Sequence, residues 1–362
     1  MKYDYLIVGA GFAGSVAAER LASQHNKKVL VVEKRNHIGG NAYDEFDEHG
    51  ILVHRYGPHI FHTNSKEVFE YLSQFTEWRK YEHKVLANLN GELYPIPINR
   101  TTINKLYNKE YTTDDEVQKF YDSVREKRNP ILNSEDIIVN QVGQDLYEKF
   151  FRYYTKKQWA LDPSELSPSV CGRIPIRTNT DDRYFTDKFQ FMPKDGYTKM
   201  FEKMLTHPNI EIKLDTNYKD IMNEIQFDKM IYTGPIDYFF DYKFGKLPYR
   251  SLTFKWENIK TEFYQKATSV NFVDSEKYTR ITEHKYFSNQ KSDTTTITKE
   301  YPKMEGEPYY PIPNEKNVAE FKLYKSEAEK LKNTIFLGRL AEYKYYNMDQ
   351  VVGKVLTQFS LK

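Results

Sequence analysis

One cysteine in 362 residues excludes an intramolecular disulfide and any Cys-rich zinc or iron–sulfur site. That residue, Cys171, stands in no sequence context that would activate a thiol, and it reads as structural. Charge of one sign is missing too: 53 Lys and Arg face 51 Asp and Glu, leaving a formal +2. Without a global field, neither nucleic acid nor an anionic membrane is indicated as the main partner, while a local basic cleft stays compatible with this balance. Long apolar runs are absent. The opening stretch Tyr5 to Ala13 is too short to cross a bilayer and carries glycines where a signal peptide is continuously apolar. A chain without membrane insertion, suited to the reducing cytoplasm, is expected. Linkers rich in Gly and Ser, low-complexity tracts and internal repeats are also lacking, so the length divides into two or three domains of roughly 100 to 200 residues each.

What the chain has in excess is aromatic side chains, 30 Tyr and 23 Phe, in a sequence whose mean hydropathy is only -0.75. So many phenols can line polar pockets and stacking surfaces as well as a core.

The first forty residues alternate in a βαβ rhythm. Tyr5 to Val8 form a buried-strand run, Ala13, Val16, Ala17 and Leu21 follow at helical spacing, and Val29 to Val32 form a second run. Leu52 to Thr63 reads as strand, turn at Gly57-Pro58, and strand. Asn64 or Ser65 then caps a helix to about Phe75. Val85 to Leu89 and Leu93 to Ile96 flank Asn90-Gly91 as a hairpin, with Pro95 marking an edge strand. Helical signals fill 101–158, notably Asp114 to Lys127 and Ile138 to Tyr154. Beyond Pro175 short β segments dominate: Ile210 to Leu214, Lys229 to Thr233, Leu252 to Trp256, Ser269 to Val273, Arg280 to Phe287 and Thr294 to Lys299, interrupted by a helix over Tyr197 to Leu205. The end returns to strand, Gly338, and a helix with Met348, Val352, Val355 and Phe359 on one face.

This pattern predicts an α/β fold. A discontinuous Rossmann-like domain (1–79, 193–238 and 316–362) carries an inserted helical bundle (100–172). An antiparallel, twisted β-sheet domain (80–99, 173–192 and 239–315) completes it.

Gly9-x-Gly11-x-x-Gly14 lies between the first strand and helix, and Glu33 ends the second strand. That is the dinucleotide pattern: a glycine for the tight turn, one for approach of the pyrophosphate, one for packing, and an acid for the ribose. Gly39 and Gly40 soon after Glu33 let a loop pass close to a long cofactor. FAD-binding folds of the glutathione-reductase type resemble this, and they also end on a strand, a glycine and a helix aimed at the flavin, which favours FAD over NAD.

Eight segments in order carry a more specific likeness: Gly39-Gly40-Asn41-Ala42-Tyr43, Tyr56 to Thr63, Tyr154 to Trp159, Arg173 to Arg177, Tyr232 to Pro235, Tyr278 to Lys285, Pro308 to Pro311 and Gly338-Arg339-Leu340. Together they resemble the bacterial UDP-galactopyranose mutases from near residue 3 to near residue 358. The resemblance implies an FAD enzyme, active in the reduced form, that interconverts UDP-galactopyranose and UDP-galactofuranose without net redox. In that family flavin N5 acts as nucleophile on the anomeric carbon and UDP is the leaving group. It also implies a homodimer whose product serves a capsule, lipopolysaccharide or other surface polysaccharide.

Residue chemistry and resemblance meet at the diphosphate. A cation about 4 Å from developing negative charge contributes on the order of 4 kcal/mol of Coulomb energy at an effective dielectric of 20, before desolvation. Arg173 and Arg280 are the candidates, with Tyr184, Tyr310 and Tyr345 as hydroxyl donors. By spacing alone, Phe150, Phe151, Tyr154 and Gln158 share a helix face and would be core. By resemblance Phe151 and Tyr154 hold the uracil, Trp159 sits near substrate on a mobile loop, Asn271 completes the uridine site, and Arg250 lies near the cleft. The cofactor residues are then Gly9, Gly11, Phe12, Gly14, Glu33, Lys34, Gly40, Asn41, His59, Ile60, Gly338, Arg339 and Met348. His59 lies against the flavin and is counted as catalytic. His59 and His62 have HxxH spacing but no further ligands, so no metal is expected.

Three positions depart from the family pattern: Asn347 for an acid, His83 for Asn and Ala160 for Gly. They leave the sugar open among UDP-galactose, UDP-N-acetylgalactosamine, dTDP-fucose and UDP-arabinose, since a few pocket atoms change preference by only about one to three kcal/mol. Rivals of other classes are an amine-oxidase-like flavin oxidoreductase and a non-catalytic nucleotide-sugar-binding protein.

Overall fold

The structure is a computed structural model and describes residues 2–274, 276–312 and 314–360. At its centre is a five-stranded parallel sheet in the order Ile210–Lys213, Val29–Val32, Lys2–Val8, Gln226–Tyr232, Thr334–Phe336. All four residues of Val29–Val32 are buried, as a strand covered on both faces requires. On one face the helices Phe12–His25 and Met348–Gln358 pack together through Val16, Ala17, Val352 and Val355. The sheet therefore joins the first and last segments of the chain, and the Rossmann-like domain is discontinuous.

A seven-stranded sheet runs Tyr310–Pro311, Tyr249–Ile259, Thr295–Lys303, Arg280–Glu283, Ser269–Phe272, Val85–Leu89, Glu92–Ile96. Its pairs are antiparallel except one: Ser269–Phe272 lies parallel to Val85–Leu89, where a distant segment docks beside the hairpin. The hairpin turns at Asn90 and Gly91, both with positive φ, and Glu92–Ile96 with Pro95 is the sheet edge. Leu52–His54 and Phe61–Thr63 join separate small sheets, the first with Asp44–Phe46 and the second with Phe189–Pro193.

The helical unit holds Arg100–Tyr107, Asp114–Val124, Ser134–Tyr147 and Tyr153–Trp159. Capping residues set the starts: Asn99, Thr113 and Asn133 each accept a main-chain N–H three residues on. The expected continuous helix over Ile138 to Tyr154 is interrupted. Gly143 takes φ 80°, and a Cβ there would lie 2.2 Å from the Val124 carbonyl oxygen, so the chain bends around the end of the preceding helix. A wider π turn, Glu148–Arg152, then leads into Tyr153–Trp159 and buries both Phe150 and Phe151.

The expected strand over Arg280 to Phe287 stops at Glu283, and Lys285–Ser288 is a helical turn. Buried polar groups force the change: Glu283 accepts the N–H groups of Tyr264 and Gln265, and Lys285 reaches the Ser292 and Thr294 carbonyls, which a straight strand could not satisfy.

Candidate active site

Two cavities open where the layers meet. The larger, about 1110 Å³, runs along the carboxyl ends of the parallel strands, and its wall includes Gly9, Gly11, Phe12, Glu33, Lys34, Gly40 and Gly338. The smaller, about 660 Å³, lies between the helical unit and the seven-stranded sheet. They share Asn41, His59, Tyr309, Arg339, Asn347 and Met348 as common wall, so they form one cleft with a waist.

The first cavity is shaped by missing side chains. Gly9 has φ 103°, and a Cβ there would lie 2.2 Å from Thr233 Oγ1; a Cβ on Gly40 would lie 2.9 Å from Gly11 Cα. Two main-chain loops thus pass in contact beside the start of helix Phe12–His25. That helix has Gly11 as N-cap, with no side chain occupying its first N–H groups. Free N–H groups and the helix dipole suit a pyrophosphate. Gly14 lines neither cavity. Its hydrogen faces the Gly9 carbonyl, where a Cβ would lie at 1.9 Å, so its part is helix-on-turn packing. Glu33 lines the cavity and holds the turn through the N–H groups of Ala10 (2.9 Å) and Arg35 (3.0 Å), one on each carboxylate oxygen, which leaves each oxygen further acceptor capacity. Lys34 is engaged by Glu307 at 2.7 Å.

In the second cavity cations and phenols converge. The Arg173 and Arg339 guanidinium carbons lie 4.7 and 5.1 Å from the centroid of the Tyr345 ring. Arg173 foremost, then Arg339, brings the Tyr345 phenol down to about 8 against the pull of burial. Arg280 donates to the Tyr154 hydroxyl (2.7 Å) and lies 3.6 Å from the Glu300 carboxylate. Gln158 donates to the Tyr310 hydroxyl, and Trp159 packs edge-on to Tyr310 at 5.2 Å. Phe151, Tyr184 and Asn271 complete the predicted set on this wall. Arg280 Nε, Glu300 Oε1, Asn271 Oδ1 and Gln158 Oε1 are buried with no hydrogen-bond partner among the described residues, which fits a polar ligand in the pocket.

Comparison with known proteins gives the family. The UDP-galactopyranose mutase family model matches residues 149–345, more than half of the chain, and the NAD(P)-binding Rossmann-like domain model matches 7–75. The chain belongs to the UDP-galactopyranose mutase family. It is 41% identical to a probable UDP-galactopyranose mutase of Klebsiella pneumoniae, over 98% of this chain and 93% of that one. To a dTDP-fucopyranose mutase of Escherichia coli it is 38% identical, over 97% and 96%. A crystal structure of reduced UDP-galactopyranose mutase superposes with a TM-score of 0.79 at 16% identity, covering 99% of this chain and 94% of the other. The putative protoporphyrinogen oxidase of Exiguobacterium shares the fold at a TM-score of 0.69 and 14% identity, over 98% and 97%. The chain is an isomerase of this family, built on a Rossmann-like frame.

Within this mutase, sequence and structure differ at three residues: Gly14, which packs helix on turn, Arg250 and Ile60. Arg250, expected near the substrate, lines neither cavity; it is 2% exposed and donates Nε to the Gln158 carbonyl (2.7 Å) and Nη2 to that of Lys157 (3.2 Å). Ile60 lines the second cavity rather than the first. His59 sits at the waist, its Nδ1 2.9 Å from the Gly57 carbonyl, and burial lowers it to about 4, so it is neutral at pH 7.

The three departures are placed unequally. His83 lines the second cavity beside Tyr184, and burial followed by the charge of Arg280 lowers it to about 3. Asn347 stands at the waist as N-cap of Met348–Gln358. Ala160 is exposed and left-handed, φ 56°, as the C-cap of Tyr153–Trp159.

His62, from the segment Tyr56 to Thr63, also lines the second cavity, together with Glu300, Asp187 and Asp349, which had no motif to announce them. Burial raises Glu300 above the usual carboxylate range, against the opposing charge of Arg280. At the far end of the first cavity, Thr216, Asn217 and Tyr238 follow the carboxyl ends of two parallel strands, a position where ligands bind in open α/β sheets and the one signal that could have found them.

Proposed function

We propose that the chain interconverts UDP-galactopyranose and UDP-galactofuranose with FAD in the first cavity and the nucleotide sugar in the second. The observation that carries this reading is the waist: the wall common to both cavities adjoins a cluster of guanidiniums and phenols that suits a diphosphate. The free N–H groups at Gly11 to Phe12 and the glycine loops fit a pyrophosphate-bearing dinucleotide, with Glu33 on the ribose and Asn41, His59, Arg339 and Met348 about the ring. When bound and reduced, FAD supplies a nucleophilic nitrogen to the anomeric carbon.

The protein's own part is electrostatic and positional. Arg173 and Arg280 would hold the departing diphosphate so that it can return, assisted by Tyr184, Tyr310 and Tyr345. Phe151, Tyr154 and Asn271 would seat the uracil, and Trp159 would exclude water above the sugar. Neutral His59 offers a fixed hydrogen-bonding group beside the ring without a competing charge. A dTDP-fucose substrate is the second reading, supported by the identity to the dTDP-fucopyranose mutase, with His83 and Asn347 at the pocket as the departures that leave the sugar open.

The test is an anaerobic assay of dithionite-reduced and oxidised protein on UDP- and dTDP-sugars in both ring forms, with products separated by chromatography. Interconversion by the reduced protein alone, highest in kcat/KM for UDP-galactose, is expected. Preference for dTDP-fucose would replace the first reading by the second; net flavin turnover would overturn both. A homodimer and service to surface polysaccharide are inferred from the family resemblance, and a cytoplasmic site from the single cysteine. No helix among the described residues is long and apolar enough to cross a membrane. We infer from the sequence pattern the boundaries 1–79, 193–238 and 316–362 for the Rossmann-like domain, 100–172 for the helical unit, and 80–99, 173–192 and 239–315 for the sheet domain.

A further inference from the structure

Lys157 lies on the helix Tyr153–Trp159, between residues of the second cavity, yet lines neither cavity itself. Its ammonium points the other way, into a ring of main-chain oxygens: those of Phe272 (2.6 Å), Asp274 (3.0 Å), Glu276 (2.9 Å) and Tyr278 (3.3 Å). An ammonium has three N–H groups, so four acceptors leave none of them idle. The acceptors belong to alternate residues of the connection between strands Ser269–Phe272 and Arg280–Glu283. The two cavity residues at its roots, Asn271 and Arg280, are register partners across that pair of strands.

The main chain around Lys157 is anchored from behind as well. Arg250, buried in the sheet, donates to the carbonyls of Lys157 and Gln158. The helix turn that presents Tyr154, Gln158 and Trp159 is thus fastened to strand Tyr249–Ile259 by one cation and to the hairpin of Asn271 and Arg280 by another.

We propose that Lys157 is a positioning residue for the nucleotide half of the site: its ammonium, seated in those four carbonyls, sets the separation between the helix carrying Tyr154 and Trp159 and the hairpin carrying Asn271 and Arg280. The proposal rests on reading the second cavity as the nucleotide-sugar site. Other side chains would not serve. A planar guanidinium cannot converge on a ring of oxygens, and a thioether of equal length offers no donor. Loosening the connection costs binding more than chemistry, because Arg280 keeps its register partner Glu300 on the adjoining strand of the sheet.

The experiment uses the FAD-loaded enzyme. UDP binding is measured by titration calorimetry, and KM and kcat in the reduced state, for the parent, Lys157→Met and Lys157→Ala. In both variants the UDP dissociation constant and KM are expected to rise about ten-fold while kcat falls less than about three-fold, with the flavin spectrum unchanged. Added n-propylammonium should restore UDP affinity in Lys157→Ala, and tetramethylammonium, which has no N–H, should not. UDP affinity within two-fold of the parent in both variants would overturn the proposal. So would weaker binding that n-propylammonium leaves unrepaired, or weaker binding that tracks loss of FAD. A parent protein that does not bind UDP would instead overturn the reading of the site.

Discussion

The glycine turn of the first cavity is shaped by main chain, whereas the charged wall of the second is made of side chains. Around the first, Gly9, Gly11 and Gly40 bring two loops together and leave helix N–H groups bare, and nearly all of this comes from residues 9–41. Around the second, Arg173, Arg280, Tyr310 and Tyr345 arrive from four separate stretches of chain, and Glu300 from a fifth. A site of the first kind depends on steric room and fails as a whole when a Cβ intrudes. A site of the second kind depends on charge and separation, and it loses function group by group while the fold stands.

That contrast is open to direct attack. The largest effect is expected from Gly14→Val, which drives a Cβ to within 1.9 Å of the Gly9 carbonyl; loss of bound flavin absorbance and a fall of 3 kcal/mol or more, at the order-of-magnitude level, in unfolding free energy should follow. A flavin-replete variant with an unchanged melting curve would erase the distinction. Next, Arg280→Ala should retain FAD yet lose about 100-fold to 1000-fold in turnover, the usual effect of deleting one preorganised donor. Turnover within about three-fold of the parent in reduced enzyme would remove Arg280 from the chemistry. Smaller again is Trp159→Ala, for which weaker UDP-sugar binding by about ten-fold with the flavin spectrum intact is expected, in line with the loss of one buried aromatic contact; an unaltered dissociation constant would deny it a place over the substrate.

Acid should act on the waist and the second cavity. His59 is lowered to about 4 and His83 to about 3, both chiefly by burial, so between those values and about 6.5 the unfolded chain binds protons that the folded one refuses. Stability is then fully present above pH 6.5 and lost as pH falls through 6.5 towards 4. Urea midpoints at pH 7.5 and pH 5 would measure it, and His83→Asn should flatten the slope; an identical slope would mean His83 takes up its proton in the folded state. The smallest change is Ala160→Gly. Relief of the left-handed alanine should exceed the added unfolded-state entropy by less than about 1 kcal/mol, read as a slightly higher melting temperature; a lower one would mean that the turn is not strained.

Much of the architecture was legible because it is written locally. The βαβ opening, the Asn90-Gly91 hairpin and the edge status of the strand with Pro95 each follow from spacing and backbone preference within a few residues. Where local reading stopped, a distant partner intervened. The helix through Ile138 bends at Gly143 because the Val124 carbonyl stands in its way. The strand from Arg280 ends at Glu283 because that carboxylate serves Tyr264 and Gln265. Arg250 looked like a substrate residue in sequence and lies behind the wall instead, holding the carbonyls of residues 157 and 158.

The sequence by itself determined the dinucleotide turn, the helix that starts on it and the family to which eight ordered segments belong, since a missing Cβ or a helix start is a property of the residue and its neighbours. Only the tertiary structure decided that Arg173, Arg339 and Tyr345 meet, that Glu300 stands beside Arg280, and that Lys157 turns from the pocket to the hairpin. Those pairings depend on Coulomb and hydrogen-bond energies over a few ångströms between residues far apart in sequence, and no local pattern records such distances.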